Sequence, residues 1–170
     1  MNVVLLGELG THARGKTLAA AAGARAGGPP SAGVALAFGK EALREPERLS
    51  EWAKWAQQPG RVLMLVPPFG PNPCTVPTSW EARRAEPLAG GETELGCALA
   101  PERQHKLHGD LVPVERVAGQ VVTGTWRRHP AAGLFVVTAL PLWSLRTLDH
   151  RQELVGWLDR FVREAGAPRG

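Results

Sequence analysis

Four short runs of consecutive apolar residues dominate the hydrophobic pattern of the chain. They occupy residues 3–6, 34–38, 62–66 and 134–137. Apolar runs without polar alternation are typical of strands that are covered on both faces, as in parallel or mixed sheets flanked by helices. The pattern therefore predicts an α/β fold, a three-layer sandwich around a mostly parallel central sheet.

Apolar residues at helical spacing mark two amphipathic helices. The first begins near Pro46 and ends before Pro59-Gly60, between the second and third apolar runs. The second follows Asp149, which has capping-box spacing with Gln152, and carries one apolar stripe through residues 154–162. A weaker, alanine-rich helix is predicted over residues 18–28. A strand, a helix and a strand in this order predict a right-handed crossover.

The chain between the third and fourth apolar runs is less regular. Residues 67–100 are rich in proline and glycine, which predicts a long surface excursion at the end of the third strand. Residues 111–133 predict an antiparallel C-terminal hairpin with its turn near Ala118-Gly119. No boundary or internal repeat divides the chain, so we expect one domain over residues 1–170.

Composition limits the class of protein. The chain has 170 residues, of which 44% are hydrophobic and 21% charged, as in a soluble globular domain. No apolar run approaches the roughly 20 residues that span a bilayer, and the first ten residues lack the pattern of a secretory signal. Cys74 and Cys97 are the only cysteines. We therefore expect no membrane partner, no disulfide framework and a cytoplasmic location.

The net charge of +4 invites the idea of a nucleic-acid partner. The basic residues are scattered, however, and no basic run exceeds the pairs Arg83-Arg84 and Arg127-Arg128. A nucleic-acid groove needs a dense basic stripe with interleaved aromatic residues. The distribution of charge argues against this class.

One segment matches a phosphate-binding motif. Residues 10–17 fit G-x-x-x-x-G-K-[ST], with Gly10, Gly15, Lys16 and Thr17 at the defining positions. In such a loop the backbone amides face the phosphates, the lysine neutralises their oxygens and the threonine hydroxyl holds magnesium. Two observations argue against a phosphate-binding loop. Three residues separate the motif from the first apolar run, and neither the third nor the fourth run leads into an acidic residue that could hold magnesium. Binding of Mg-ATP or Mg-GTP is kept as the alternative hypothesis.

Two stretches, residues 33–69 and 111–163, share an order of elements with a known fold. The first contains Leu49-Ser50-Glu51-Trp52-Ala53, then Pro59-Gly60-Arg61 and the third apolar run. The second contains the fourth apolar run, then Leu140-Pro141-Leu142-Trp143-Ser144 and the last helix. In this order the chain resembles the class I glutamine-amidotransferase-like fold, and more narrowly the small bacterial domains of that type.

The chain departs from the catalytic members of that family at two places. They carry a nucleophilic cysteine directly after the third strand and a His-x-Glu pair after the last core strand. Here the corresponding residues are Pro67-Pro68-Phe69-Gly70 and residues 139–144, which hold neither. The resemblance therefore implies the scaffold without ammonia-releasing chemistry. We expect no catalytic residues and no cofactor, and a non-catalytic interaction or regulatory subunit whose partner is another protein of a bacterial cytoplasmic assembly.

Other candidate chemistry is weaker. Cys74 with His105 or His108 would make a nucleophile and base, but nothing in the sequence brings them together. His105, His108 and Asp110 would gather around a metal only on a helical turn, which Gly109 disfavours, so no metal site is predicted. Ser144 lacks the glycines of an esterase elbow.

Six tryptophans in a chain without tyrosine complete the picture. Trp52 and Trp157 lie on or beside the apolar stripes of their helices, which indicates core positions. Trp80, Trp126 and Trp143 fall in the excursion, the hairpin and the turn after the last core strand. Large aromatic side chains in such places either anchor a protein partner or pack the connecting segments onto the sheet. Both interpretations stay open at this point.

Overall fold

A seven-stranded sheet forms the centre of the computed structural model, which describes residues 2–38, 45–66, 70–71, 80–85, 90–103 and 105–166. The strands are β1 Val3–Leu5, β2 Arg25–Ala26, β3 Gly33–Phe38, β4 Arg61–Val66, β5 Gly70–Pro71, β6 Trp80–Arg84, β7 His105–Gly109, β8 Val112–Val117, β9 Gln120–Trp126 and β10 Leu134–Thr138. The central sheet has the order β2-β1-β3-β4-β10-β9-β8, and β5-β6-β7 form a smaller antiparallel sheet.

The helices lie around the central sheet. They are α1 Ala13–Ala22, α2 Pro46–Trp55, α3 Glu94–Leu99 and α4 Arg151–Gly166, with 3-10 helices at Gly7–Gly10, Ala100–Glu102 and Leu145–Asp149. α2 begins with a proline in its first turn, as predicted. No helix in the described part of the chain combines the length and apolar character needed to cross a bilayer.

The predicted α/β fold with a mostly parallel central sheet is confirmed. β2, β1, β3, β4 and β10 run parallel, whereas β10, β9 and β8 are antiparallel. Every residue of β3 and β10 is buried, which requires cover on both faces of the sheet and explains their unbroken apolar runs. The chain passes from β1 to β2 on one side of the sheet and from β3 to β4 on the other. The direction of the connections therefore reverses between β1 and β3.

Two local expectations are corrected. The weak helix over residues 18–28 is instead α1, which starts at Ala13 and ends at Ala22, where Gly23 with a φ of 68° forms the C-cap. Asp149 does not cap α4, because it is the last residue of the 3-10 helix Leu145–Asp149, and the Leu154 amide bonds to the His150 carbonyl. The described parts of the 67–100 excursion contain β5, β6 and α3.

The two margins of the central sheet are irregular. β2 has only two residues, and β8 contains Pro113 and loses its regular pairing with β9 on both sides of Glu115. The predicted hairpin turn is confirmed between β8 and β9. Ala118 and Gly119 both have positive φ, 50° and 78°, which is the backbone that a two-residue hairpin turn requires.

Candidate functional site

A cleft of about 420 Å³ opens at the carboxyl ends of β4 and β10. Its apolar wall consists of Val66, Ala139, Pro141 and Leu145. Its polar and aromatic lining consists of Arg14, Glu102, His105, Thr138, Trp143 and Ser144. The carboxyl edge of a parallel sheet is the place where α/β proteins bind their ligands, so this cleft is the candidate functional site.

Arg14 is held at the cleft by stacking on Trp143. The centre of its guanidinium lies 4.6 Å from the centroid of the indole ring. Arg14 belongs to the first turn of α1, and its amide donates to Nδ1 of the helix-capping His12 over 3.1 Å. The His12 ring packs edge-on against Phe38 at the end of β3, with centroids 5.3 Å apart. These contacts fix the start of α1, and with it the cation, beside the cleft.

The hydroxyl groups of the cleft take part in local structure. Ser144 Oγ accepts the Arg146 amide over 3.1 Å and thereby caps the 3-10 helix Leu145–Asp149. Thr138 Oγ1 lies 2.9 Å from Thr123 Oγ1 and accepts the Leu140 amide over 3.2 Å. Among the described residues no base forms a hydrogen bond with Ser144, and its hydroxyl oxygen serves as the cap of this 3-10 helix.

Among the described residues that line the cleft, Arg14 carries a positive charge that no carboxylate offsets. Glu102 Oε1 accepts a hydrogen bond from Arg146 Nε over 3.0 Å, so these two charges offset each other. Burial lowers the pKa of His105 below its ordinary value, and the positive charge of Arg84 lowers this pKa further. Both effects favour the neutral imidazole over the charged one.

The phosphate-motif segment, residues 10–17, runs from the end of the 3-10 helix Gly7–Gly10 into the first half of α1, and several of its backbone amides are already bonded. The Thr11 and His12 amides donate to the Glu8 carbonyl over 3.1 and 3.0 Å, and the Gly15 amide donates to the His12 carbonyl over 2.9 Å. Lys16 is exposed and Thr17 is half-buried on α1. An anion cradled by this segment would have to displace bonds that already hold the helix start.

The two glycines of the motif have a packing role. A side chain on Gly15 would overlap the Leu9 carbonyl oxygen, and one on Gly10 would lie 2.9 Å from the Ala26 Cβ. Glycine is thus required at both positions so that α1, the 3-10 helix Gly7–Gly10 and β2 can approach one another. Close packing explains the glycine spacing without a phosphate.

The three tryptophans predicted as partner contacts differ in burial. Trp80 is only 3% exposed and packs in the core, which fits the packing interpretation of this residue. Trp126 is half-buried and lines a narrow crevice with Ala53, Ala56 and Phe135. Trp143 is half-buried at the cleft. Of the three, Trp143 alone lies at the candidate site.

The remaining candidate residues are not brought together. His105 and His108 lie on β7, where residues three apart point to opposite sides. Cys74 is outside the described residues, as are Pro67, Pro68 and Phe69 of the position that corresponds to the catalytic elbow. Within the described ranges no group of three or more His, Cys, Asp or Glu side chains is arranged to hold a metal ion.

Two features of the site region were not predicted from the sequence. Arg14 was visible only as a variable position inside the phosphate motif. Glu115 is fully buried in β8, where its carboxylate accepts the amides of Glu92 and Thr93 over 3.1 and 3.2 Å and the Thr93 hydroxyl over 2.9 Å. These bonds tie the start of α3 to the hairpin, close to the segment that supplies Glu102.

Comparisons with protein-family models, with curated proteins and with solved structures give no significant match.

Proposed function

We propose that this domain is a non-catalytic interaction or regulatory subunit of a bacterial cytoplasmic assembly and that its partner is another protein of that assembly. One observation carries the proposal. Leu145 is 74% exposed and lies on the rim of the cleft, which Trp143 also lines. Tryptophan and arginine are enriched among the residues that dominate binding at protein interfaces, and Trp143 and Arg14 line this cleft together with Leu145.

The polar groups of the cleft support binding over catalysis. The Ser144 and Thr138 hydroxyls take part in local bonds, and Glu102 is ion-paired. A reacting site needs a nucleophile and a base held within hydrogen-bond reach of each other. The bonds of these three residues lead elsewhere, so they hold the shape of the cleft.

The experiment is a comparison of Leu145→Asp with Val155→Asp. Val155 is 39% exposed on α4 and does not line the cleft, so it provides a matched apolar-to-acidic control. The tagged chain is expressed in its own host at native level, and size-exclusion chromatography with mass spectrometry identifies the proteins that co-elute. We expect the wild type and Val155→Asp to retain the same partner and Leu145→Asp to lose about tenfold or more of it, because a charge replaces buried apolar contact.

Two results would contradict the proposal. If the wild-type chain elutes alone as a single species, it has no stable protein partner and the proposal is wrong. Equal retention by both variants would show that the partner binds away from the cleft.

A further inference from the structure

The shape and lining of the cleft fit a small molecule as well as a protein surface. Its volume of about 420 Å³ falls within the roughly 300–1,000 Å³ that is usual for sites of small ligands. Val66, Ala139 and Pro141 are buried side chains that form an apolar floor at the ends of β4 and β10. A ligand that fills this space must therefore present an apolar body.

Arg14 supplies an uncompensated positive charge at this floor. In the described part of the chain no carboxylate forms an ion pair with Arg14, whereas Glu102, the carboxylate of the cleft lining, bonds to Arg146. The guanidinium lies over the Trp143 ring, and its N–H groups donate to no acceptor among the described residues. The planar edge of a guanidinium binds carboxylate and phosphate oxygens by paired hydrogen bonds.

Ser144 adds a second donor. Its oxygen accepts the Arg146 amide, and among the described residues no acceptor takes its own O–H proton. The side chain is buried at the cleft, with its rotamer fixed by the capping bond. A hydroxyl and a guanidinium that line one cleft are donors from which an oxyanion can accept hydrogen bonds.

We infer that the cleft is a binding site for a small organic anion, with Arg14 and Ser144 donating to its carboxylate or phosphate group and the apolar floor contacting its body. This inference does not rest on the proposed protein partner, because it concerns the isolated domain. If both hold, the anion is bound next to Leu145 and thus beside the surface that the partner would cover.

Calorimetric titration of the purified full chain with four probes tests the inference. The probes are benzoate, phenyl phosphate, the neutral benzyl alcohol and inorganic phosphate. We expect at least one aromatic anion to bind with a Kd about tenfold or more below that of benzyl alcohol, because a charge-assisted hydrogen bond typically changes a Kd by about tenfold to a hundredfold. The preference between benzoate and phenyl phosphate identifies the head group.

Variants assign the binding to the cleft. Arg14→Gln should weaken the preferred anion about tenfold or more, and Arg25→Gln, an exposed arginine on β2 outside the cleft, should leave its Kd unchanged. If Arg14→Gln fails to fold, the ratio of the Kd of benzyl alcohol to that of the aromatic anion, measured on the wild type, tests the inference by itself.

Four results would overturn the inference. The first is that neither aromatic anion shows saturable binding below about 10 mM. The second and third are that benzyl alcohol binds as tightly as the anions, or that inorganic phosphate binds as tightly as phenyl phosphate. The fourth is that a folded Arg14→Gln variant binds the preferred anion with an unchanged Kd.

Discussion

Glu115 and Arg14 are both charged residues held against the body of the domain, but their surroundings differ. Glu115 is fully buried, and its oxygens accept two backbone amides and the Thr93 hydroxyl. Arg14 is exposed at the cleft, and its side chain contacts the Trp143 ring. The carboxylate oxygens of Glu115 are bonded within the chain. The guanidinium N–H groups of Arg14 donate to no acceptor among the described residues.

This difference separates a structural role from a binding role. A buried polar group is tolerated when its bonds are satisfied, and removing it leaves its former partners unsatisfied. An exposed cation whose donors are free adds little to stability but can bind an anion. Substitutions at these two positions should therefore act on different measurable quantities.

Replacing Glu115 should have the largest effect on stability. We expect Glu115→Ala to lower the free energy of unfolding by about 1–3 kcal/mol, because the Glu92 and Thr93 donors lose their buried acceptor. Urea denaturation monitored by circular dichroism measures the change. Glu51→Ala, at an exposed position of α2, is the control and should cost less than about 0.5 kcal/mol. If Glu115→Ala and Glu51→Ala lower the free energy of unfolding equally, the hydrogen bonds of the buried carboxylate do not contribute more to stability than an exposed side chain does.

Replacing Arg14 should cost less. Arg14→Gln removes an exposed contact with an aromatic ring, which is worth about 0.5–1 kcal/mol. Arg14→Lys keeps the charge but loses the planar stack, so its urea midpoint should fall between those of the wild type and Arg14→Gln. A loss in Arg14→Gln as large as in Glu115→Ala would make Arg14 a structural residue and remove the distinction between the two regions.

The smallest effect is expected at Lys16. Backbone amides near Lys16 are already bonded within the chain, as the carboxylate oxygens of Glu115 are. We therefore expect millimolar Mg-ATP or Mg-GTP to leave the melting temperatures of the wild type and Lys16→Ala unchanged. A nucleotide at 100 times its Kd would instead stabilise the wild type by about 2.7 kcal/mol. A rise that Lys16→Ala abolishes would establish the nucleotide-binding alternative and place the ligand site at α1.

The sequence was most informative where burial is complete. β3, β4 and β10 were predictable because strands covered on both faces are apolar without interruption, and the hairpin turn at Ala118-Gly119 was marked by its glycine. The start of α1 was not predictable from apolar spacing, since its first turn carries Arg14 and Lys16 and is held by the His12 cap.

The site was less predictable because its contacts join distant parts of the chain. Arg14 stacks on Trp143, and Glu102 pairs with Arg146, so neither pair has a local pattern. Glu115 is turned inward by the irregular pairing of β8 with β9, which no alternation of apolar and polar residues would indicate. Trp143 was singled out for its size and position, and the structure places it in the lining of the cleft.

The irregular margins of the central sheet limit how this domain can associate. A two-residue β2 offers too few main-chain groups to template another strand, and in β8 the missing amide of Pro113 and the shifted pairing at Glu115 interrupt the outward row of donors and acceptors. Extension of this sheet by strand addition from a second chain is thereby disfavoured at both ends. A partner that does not extend a sheet recognises side chains, such as those of the surface around Trp143 and Leu145.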